Sequence, residues 1–169
     1  MLQVAEDIKA LSQVYVSEFN AFCGEYDLVG KVRADHLGIK CSHTKIYESH
    51  KALFEKESRF IYQSIIAGRR ISIIGLREGV DTFVGPLNYL ELADQKQDGS
   101  QTDRIDHLEI IPTTCSYKEL IAHLSEKGVT LKETVRAHHT TYDIVLPSGF
   151  SIKLSREMLI DKIKREEMK

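Results

Sequence analysis

Residues 34–41 read ADHLGIKC and residues 105–112 read IDHLEIIP. Each holds Asp-His-Leu followed by an apolar alternation, and the two histidines, His36 and His107, stand 71 positions apart. A period of two is the mark of a strand, whose successive side chains point to opposite faces. Leu37, Ile39 and Cys41 then share one face, and His36, Gly38 and Lys40 the other. In the second stretch Leu108 and Ile110 oppose His107 and Glu109. A strand signature that recurs after nearly half the chain predicts two related halves.

The surrounding pattern repeats as well. After the first stretch, Ile46, His50, Leu53 and Phe54 have helical spacing over about 45–56. Extended segments follow near 61–67, 70–76 and 87–93, the last after Gly85-Pro86-type turn chemistry. After the second stretch, Ser116-Tyr117-Lys118-Glu119 is a capping box that opens a helix, with Leu120, Ile121 and Leu124 on its apolar face and Gly128 to close it. Strands follow around 130–135, 140–146 and 150–154, with Pro147-Ser148-Gly149 turning between the last two. Each half thus runs strand, helix, strand, strand, strand. The expected class is α+β: two βαβββ modules in one curled mixed sheet around a cleft, with an extra helix at each end. The expected single domain spans 1–169: a helical extension at 1–24, modules at 33–94 and 105–155, a polar linker at 95–104, and a C-terminal helix in 156–169 that Ser155 caps.

Composition narrows the function. The chain has 169 residues, 42% of them apolar, a net charge of −2 and a pI near 6.4. Without a basic excess it has no means of holding a phosphate backbone, so nucleic acid is excluded as the expected partner. No apolar run is long enough to span a bilayer, and the start, MLQVAEDIKALSQV, is not a signal peptide. Three cysteines without CxxC spacing read as reduced thiols of a cytoplasmic protein.

Strands beside helices bury their apolar faces, which makes the opposite faces informative. Those faces collect His36, Glu91, His107, Glu109, His139, Asp143 and Lys153. Two imidazoles and a carboxylate suit a divalent transition metal, with zinc, iron, manganese and nickel not distinguished, and leave positions open for water or substrate. Asp35 and Asp106 fall on the helix side, where backbone or turn hydrogen bonds are their expected work.

The repeated βαβββ order, the paired Asp-His-Leu strands and Glu91 within YLELA resemble the vicinal oxygen chelate superfamily of glyoxalases, bleomycin-resistance proteins and extradiol dioxygenases. Closer still, ADHLGIKC, GRRISIIGL, LELADQ, IDHLEII and SGFSIKLS are similar to the YecM family. The resemblance implies metal ligands on the first and fourth strands of each module: His36, Glu91 and His107. It places Lys153 at the fourth position, and a charged lysine is a poor ligand. Either three protein ligands suffice or the metal is lost. Glu109 and His139 are the expected proton-transfer groups and Lys153 the expected holder of a substrate anion. Glu109 has a second expected use, orienting an imidazole. The implied function is a metal-binding enzyme that chelates a small oxygen-rich substrate for isomerase, lyase or dioxygenase chemistry; the alternative is a non-catalytic small-molecule binding module with a degenerate site. Monomer and homodimer are both permitted.

Overall fold

The computed structural model describes residues 5–66, 68–135 and 140–167. Its elements are α1 (Ala5–Glu25), β1 (Val32–Lys40), α2 (Thr44–Glu57), β2 (Ser58–Ile66), β3 (Arg69–Val80), β4 (Leu87–Ala93), β5 (Arg104–Pro112), α3 (Tyr117–Glu126), β6 (Lys132–Val135), β7 (Thr140–Val145), β8 (Ser151–Leu154) and α4 (Leu159–Glu167). The expected repeat is present: β1-α2-β2-β3-β4, then β5-α3-β6-β7-β8. All the strands join one open mixed sheet in the order β2-β3-β4-β1-β5-β8-β7-β6. The modules meet along the antiparallel pair β1 and β5, and each first strand lies parallel to its own module's fourth strand.

The main core lies between one sheet face and three helices. Val16, Phe19 and Phe22 of α1, Tyr47 and Phe54 of α2, and Leu120 and Leu124 of α3 pack there against Leu37, Leu90, Leu108 and Ile152. Burying such side chains contributes roughly 1.5–3 kcal/mol each, so this face fixes the register of both modules. The capping box of α3 forms as the sequence predicts: Ser116 Oγ accepts from Glu119 N, and Glu119 accepts from Ser116 N.

Strict alternation fails at two places in the central pair. Ala34 faces Ile110 and Leu37 faces Leu108, so Asp35 and His36 together oppose the single residue Glu109. Gly38 then faces His107 and Ile39 faces Ile105, which leaves Asp106 as an extra residue of β5. These bulges turn each aspartate toward its neighbouring histidine instead of the helix side. Residues 34–39 are consequently buried without interruption.

The opposite sheet face also differs from expectation. It is not left wholly to a cleft. Leu159 and Ile163 of α4 pack on Ile71, Ile73, Ala93, Tyr62 and Tyr89, filling the half that belongs to the first module. The helix begins at Leu159, and Ser155 does not cap it: the Ser155 hydroxyl donates to Glu157 O, and the Leu159 amide donates to Asp35. The polar linker is tied down. Gln101 donates to the carbonyls of Cys41, Ala93 and Asp94, while Asp103 accepts from Ser42. Among the described residues no helix is long and apolar enough to cross a membrane.

Candidate metal centre

His36 on β1 and His107 on β5 meet across the central pair. Their rings lie 5.5 Å apart, centroid to centroid, nearly perpendicular to one another. Both are buried, at 1% and 3% exposure. Glu91 on β4 completes the group: one ligand atom from each of His36, Glu91 and His107 lies within 4.8 Å of the other two. Parallel register brings it there, since Gly38 pairs with both His107 and Glu91.

Each imidazole is held from behind by the residue before it. His36 Nδ1 lies 3.0 Å from Asp35 Oδ2, and His107 Nδ1 lies 3.0 Å from Asp106 Oδ2. A carboxylate at Nδ1 selects the tautomer that turns the Nε2 lone pair forward and raises its basicity. His36 Nε2 then faces Glu91 at 3.8 Å and Glu109 at 3.9 Å. It is buried and has no hydrogen-bond partner. A buried polar atom in that state costs free energy unless something else uses it, and an imidazole nitrogen between two carboxylates has the chemistry of a metal donor. The residues present therefore fit a divalent ion. A second group, Asp35, His36 and Glu109, also comes within 4.8 Å, but Asp35 lies on the Nδ1 side of the ring, opposite the atom that faces Glu91 and Glu109.

The electrostatics divide the two histidines. Burial opposes a charge on His36, yet Glu109, Asp35 and Glu91 outweigh it and carry its pKa up to about 9. His107 goes the other way: burial dominates, Asp106 resists, and Lys153 adds to the depression. Glu91 stays below the ordinary carboxylate range; its burial opposes this, but His36, His107 and Lys153 prevail. Burial also opposes a charge on Asp106, and His107 and Lys40 overcome it, holding that carboxyl well below its usual range.

Lys153 on β8 sits where the sequence reading puts it. It is paired in register with Glu109, as Glu91 is paired with Gly38 in the other module. It forms no ion pair with Glu91 or Glu109 among the described residues. Beside the triad opens a cavity of about 500 Å³, lined by Glu91, Glu109 and Lys153 from the sheet, Tyr117 from α3, Arg156 from the loop before α4, and Lys162 from α4. Arg156 lies over the Tyr117 ring, 5.0 Å from its centroid. His139 lies outside the described residues. Glu109 faces the cavity and His36 but does not hold an imidazole; the aspartates do. Sequence reasoning missed that role, although the signal was there: the aspartate repeats at the same offset as the histidine.

Gly38 was also missed. A Cβ built on it would lie 2.1 Å from His107 Cε1, so the ring rests directly on the strand backbone. The position that repeats Gly38 in the second module is Glu109, and only one of the two can be free of a side chain if the cavity is to keep a carboxylate there.

A duplicated βαβββ sheet whose central strands each present an imidazole, backed by a carboxylate, defines the class of this protein. Within that class the chain belongs to the YecM family: the family described as YecM protein matches residues 6–163. Among solved structures, the chain is similar to the one described as "Structural Genomics, Protein EC4020", with 18% identity, 94% of this chain and 92% of that chain covered, and a TM-score of 0.67. It also shares its fold with the hydroxyglutarate synthase of Oryza sativa in complex with 2-oxoadipate, at 10% identity, with 93% of this chain and 81% of that chain covered and a TM-score of 0.55. A comparison with curated proteins found no match.

Proposed function

We propose that the chain is a metal-dependent enzyme of the vicinal oxygen chelate type, its divalent ion held by His36, Glu91 and His107. One observation carries the reading: candidate donors from three strands converge within 4.8 Å, and His36 Nε2 is buried without a hydrogen-bond partner. A bound ion would supply Lewis-acid polarisation of two substrate oxygens. The chain's own groups do the rest. Glu109, 3.9 Å from His36 Nε2, borders the cavity and moves a proton. His139 is a second proposed acid–base group. Lys153 holds an anionic group of the substrate. The cavity volume suits a small acid, and 2-oxoadipate, bound by the hydroxyglutarate synthase that shares the fold, is a reasonable first compound to try.

The test is metal content by inductively coupled plasma mass spectrometry on untagged protein and on the His36→Ala/His107→Ala double variant, followed by assay of metal-loaded protein on 2-oxo acids, thiohemiacetals and catechols. Near-stoichiometric metal in the parent and its loss in the variant are expected. No metal in either, even after reconstitution with zinc, manganese, nickel and anaerobic iron, defeats the reading. One observation favours a binding module instead: a lysine occupies the position that duplicates Glu91. That reading expects ligand-induced thermal stabilisation without metal or turnover.

A further inference from the structure

The two Asp-His pairs repeat in sequence but are not balanced alike. Asp106 Oδ2 meets His107 Nδ1 at 3.0 Å and Lys40 Nζ at 2.6 Å, and Asp106 Oδ1 takes the Arg104 guanidinium at 2.6 and 2.8 Å. Two cations therefore balance that carboxylate. Asp35 is 1% exposed, and apart from His36 it has no cationic partner among the described residues. Its Oδ2 accepts from His36 Nδ1 at 3.0 Å and from the backbone N–H of Leu159 at 2.9 Å, while Oδ1 is buried with no hydrogen bond. Arg33 repeats Arg104 at the same offset, yet it is turned to Met158, the residue before α4. The first amide of α4 thus meets Asp35 Oδ2 as the Lys40 ammonium meets Asp106 Oδ2. The positive end of a helix is a fitting partner for a buried carboxylate.

We propose that Asp35 is a positioning residue that joins the metal ligand His36 to α4. One oxygen fixes both the ring whose Nε2 faces the donor set and the helix that brings Leu159, Lys162 and Arg165 to the cavity. A cation at Nε2 makes Nδ1–H a stronger donor and tightens the bond to Asp35; hydrogen bonds in such a chain polarise one another. Ligation and helix seating then favour each other, and the effect is reciprocal. The wall of the cavity is completed by the same event that completes the metal site. This inference rests on the metal reading above, but its first link, Leu159 to Asp35 to His36, is in place without metal.

The experiment pairs zinc titration calorimetry with hydrogen exchange of α4. Leu159→Pro deletes the N–H at the first helical position, which tolerates proline, whereas Leu159→Ala removes the side chain and keeps the N–H. Zinc affinity about tenfold weaker in Leu159→Pro than in Leu159→Ala is expected, although residue 159 supplies no ligand. Zinc should slow exchange of α4 in the parent and in Leu159→Ala, but not in Leu159→Pro or Asp35→Asn. Asp106→Asn should weaken zinc binding and leave zinc's protection of α4 in place. Equal zinc affinity in the proline and alanine variants, or equal protection of α4 in all of them, overturns the proposal. A parent that takes up no zinc defeats the metal reading alone. The link is then decided in metal-free protein, where His36→Ala should speed exchange of α4 and Asp106→Asn should not; equal exchange in the two overturns it.

Discussion

The imidazole of His107 occupies the space in which a side chain at Gly38 would begin, with its Cε1 2.1 Å from the position a Cβ would take. An alanine there must push the ring away from Asp106 and from the donor set. Gly38→Ala is expected to cost about 1–3 kcal/mol by overpacking and to weaken zinc binding by at least about tenfold. Urea unfolding and titration calorimetry measure the two effects. A variant that binds zinc like the parent would show that the ring has room to move, against the geometry described.

In the proposed site a metal ion has to displace the proton of His36. Its pKa in the folded protein is about 9 against an ordinary 6.5. Below about pH 6.5 folded and unfolded chains both hold the proton, and the stabilisation is fully present; it is lost as pH rises through about 9. Metal-free protein should therefore lose stability between those limits, and His36→Gln should flatten that decline. His107 is depressed, so its own effect falls below pH 6.5 and leaves this window alone. Zinc affinity should rise by about tenfold per pH unit toward pH 9 as the His36 proton is displaced. Denaturant melts at stepped pH, with and without zinc, check both slopes.

The thiols differ in reach. Cys23 and Cys41 are buried, and burial pushes both up to about 12. Cys115 is half-buried. Reaction of native protein with a disulfide reagent should consume at most one thiol quickly, with the others appearing only on unfolding. Rapid reaction of Cys41 would mean that the core beside α2 opens readily.

Gln101 is the pin of the linker. Its amide nitrogen serves three carbonyls, and its oxygen accepts from Arg69. Gln101→Ala takes the donor from Cys41 O, while Ala93 O keeps the Cys41 amide and Asp94 O keeps Arg69, at an expected cost of about 1–3 kcal/mol. Metal stoichiometry should not change, because the pin lies at the strand ends and outside the donor set. A drop in stoichiometry would show that the linker positions Glu91.

Much of this architecture was legible because each half carries its own local signals. The capping box at Ser116, the periodicity of α2 and the alternation in β4 specify their elements without help from the rest of the chain. The grouping of His36, Glu91 and His107 was legible for the same reason: the two histidines repeat, and Glu91 falls on the strand face that they share. What escaped depends on contacts between distant segments. Bulges at Asp35 and Asp106 arise from the pairing of β1 with β5, and alternation within one strand carries no trace of them. The cap of α4 comes from a residue 124 positions earlier, so the nearby Ser155 was the natural but mistaken choice. Gly38 reads as an ordinary strand glycine until the ring from the other module is laid over it.

A cradle made by duplicating one unit is, before anything is added, the same from either side. A guest could lie in it in two equivalent ways. Lys153 opposite Glu91 and Glu109 opposite Gly38 already break that equivalence, and the nine residues of α4 deepen it, because Leu159 and Ile163 fill the half over β3 and β4 and leave the cavity to border β7 and β8. Left and right are thereby told apart. The last helix and the unlike residues of the two halves together give the cradle one closed side and one open side.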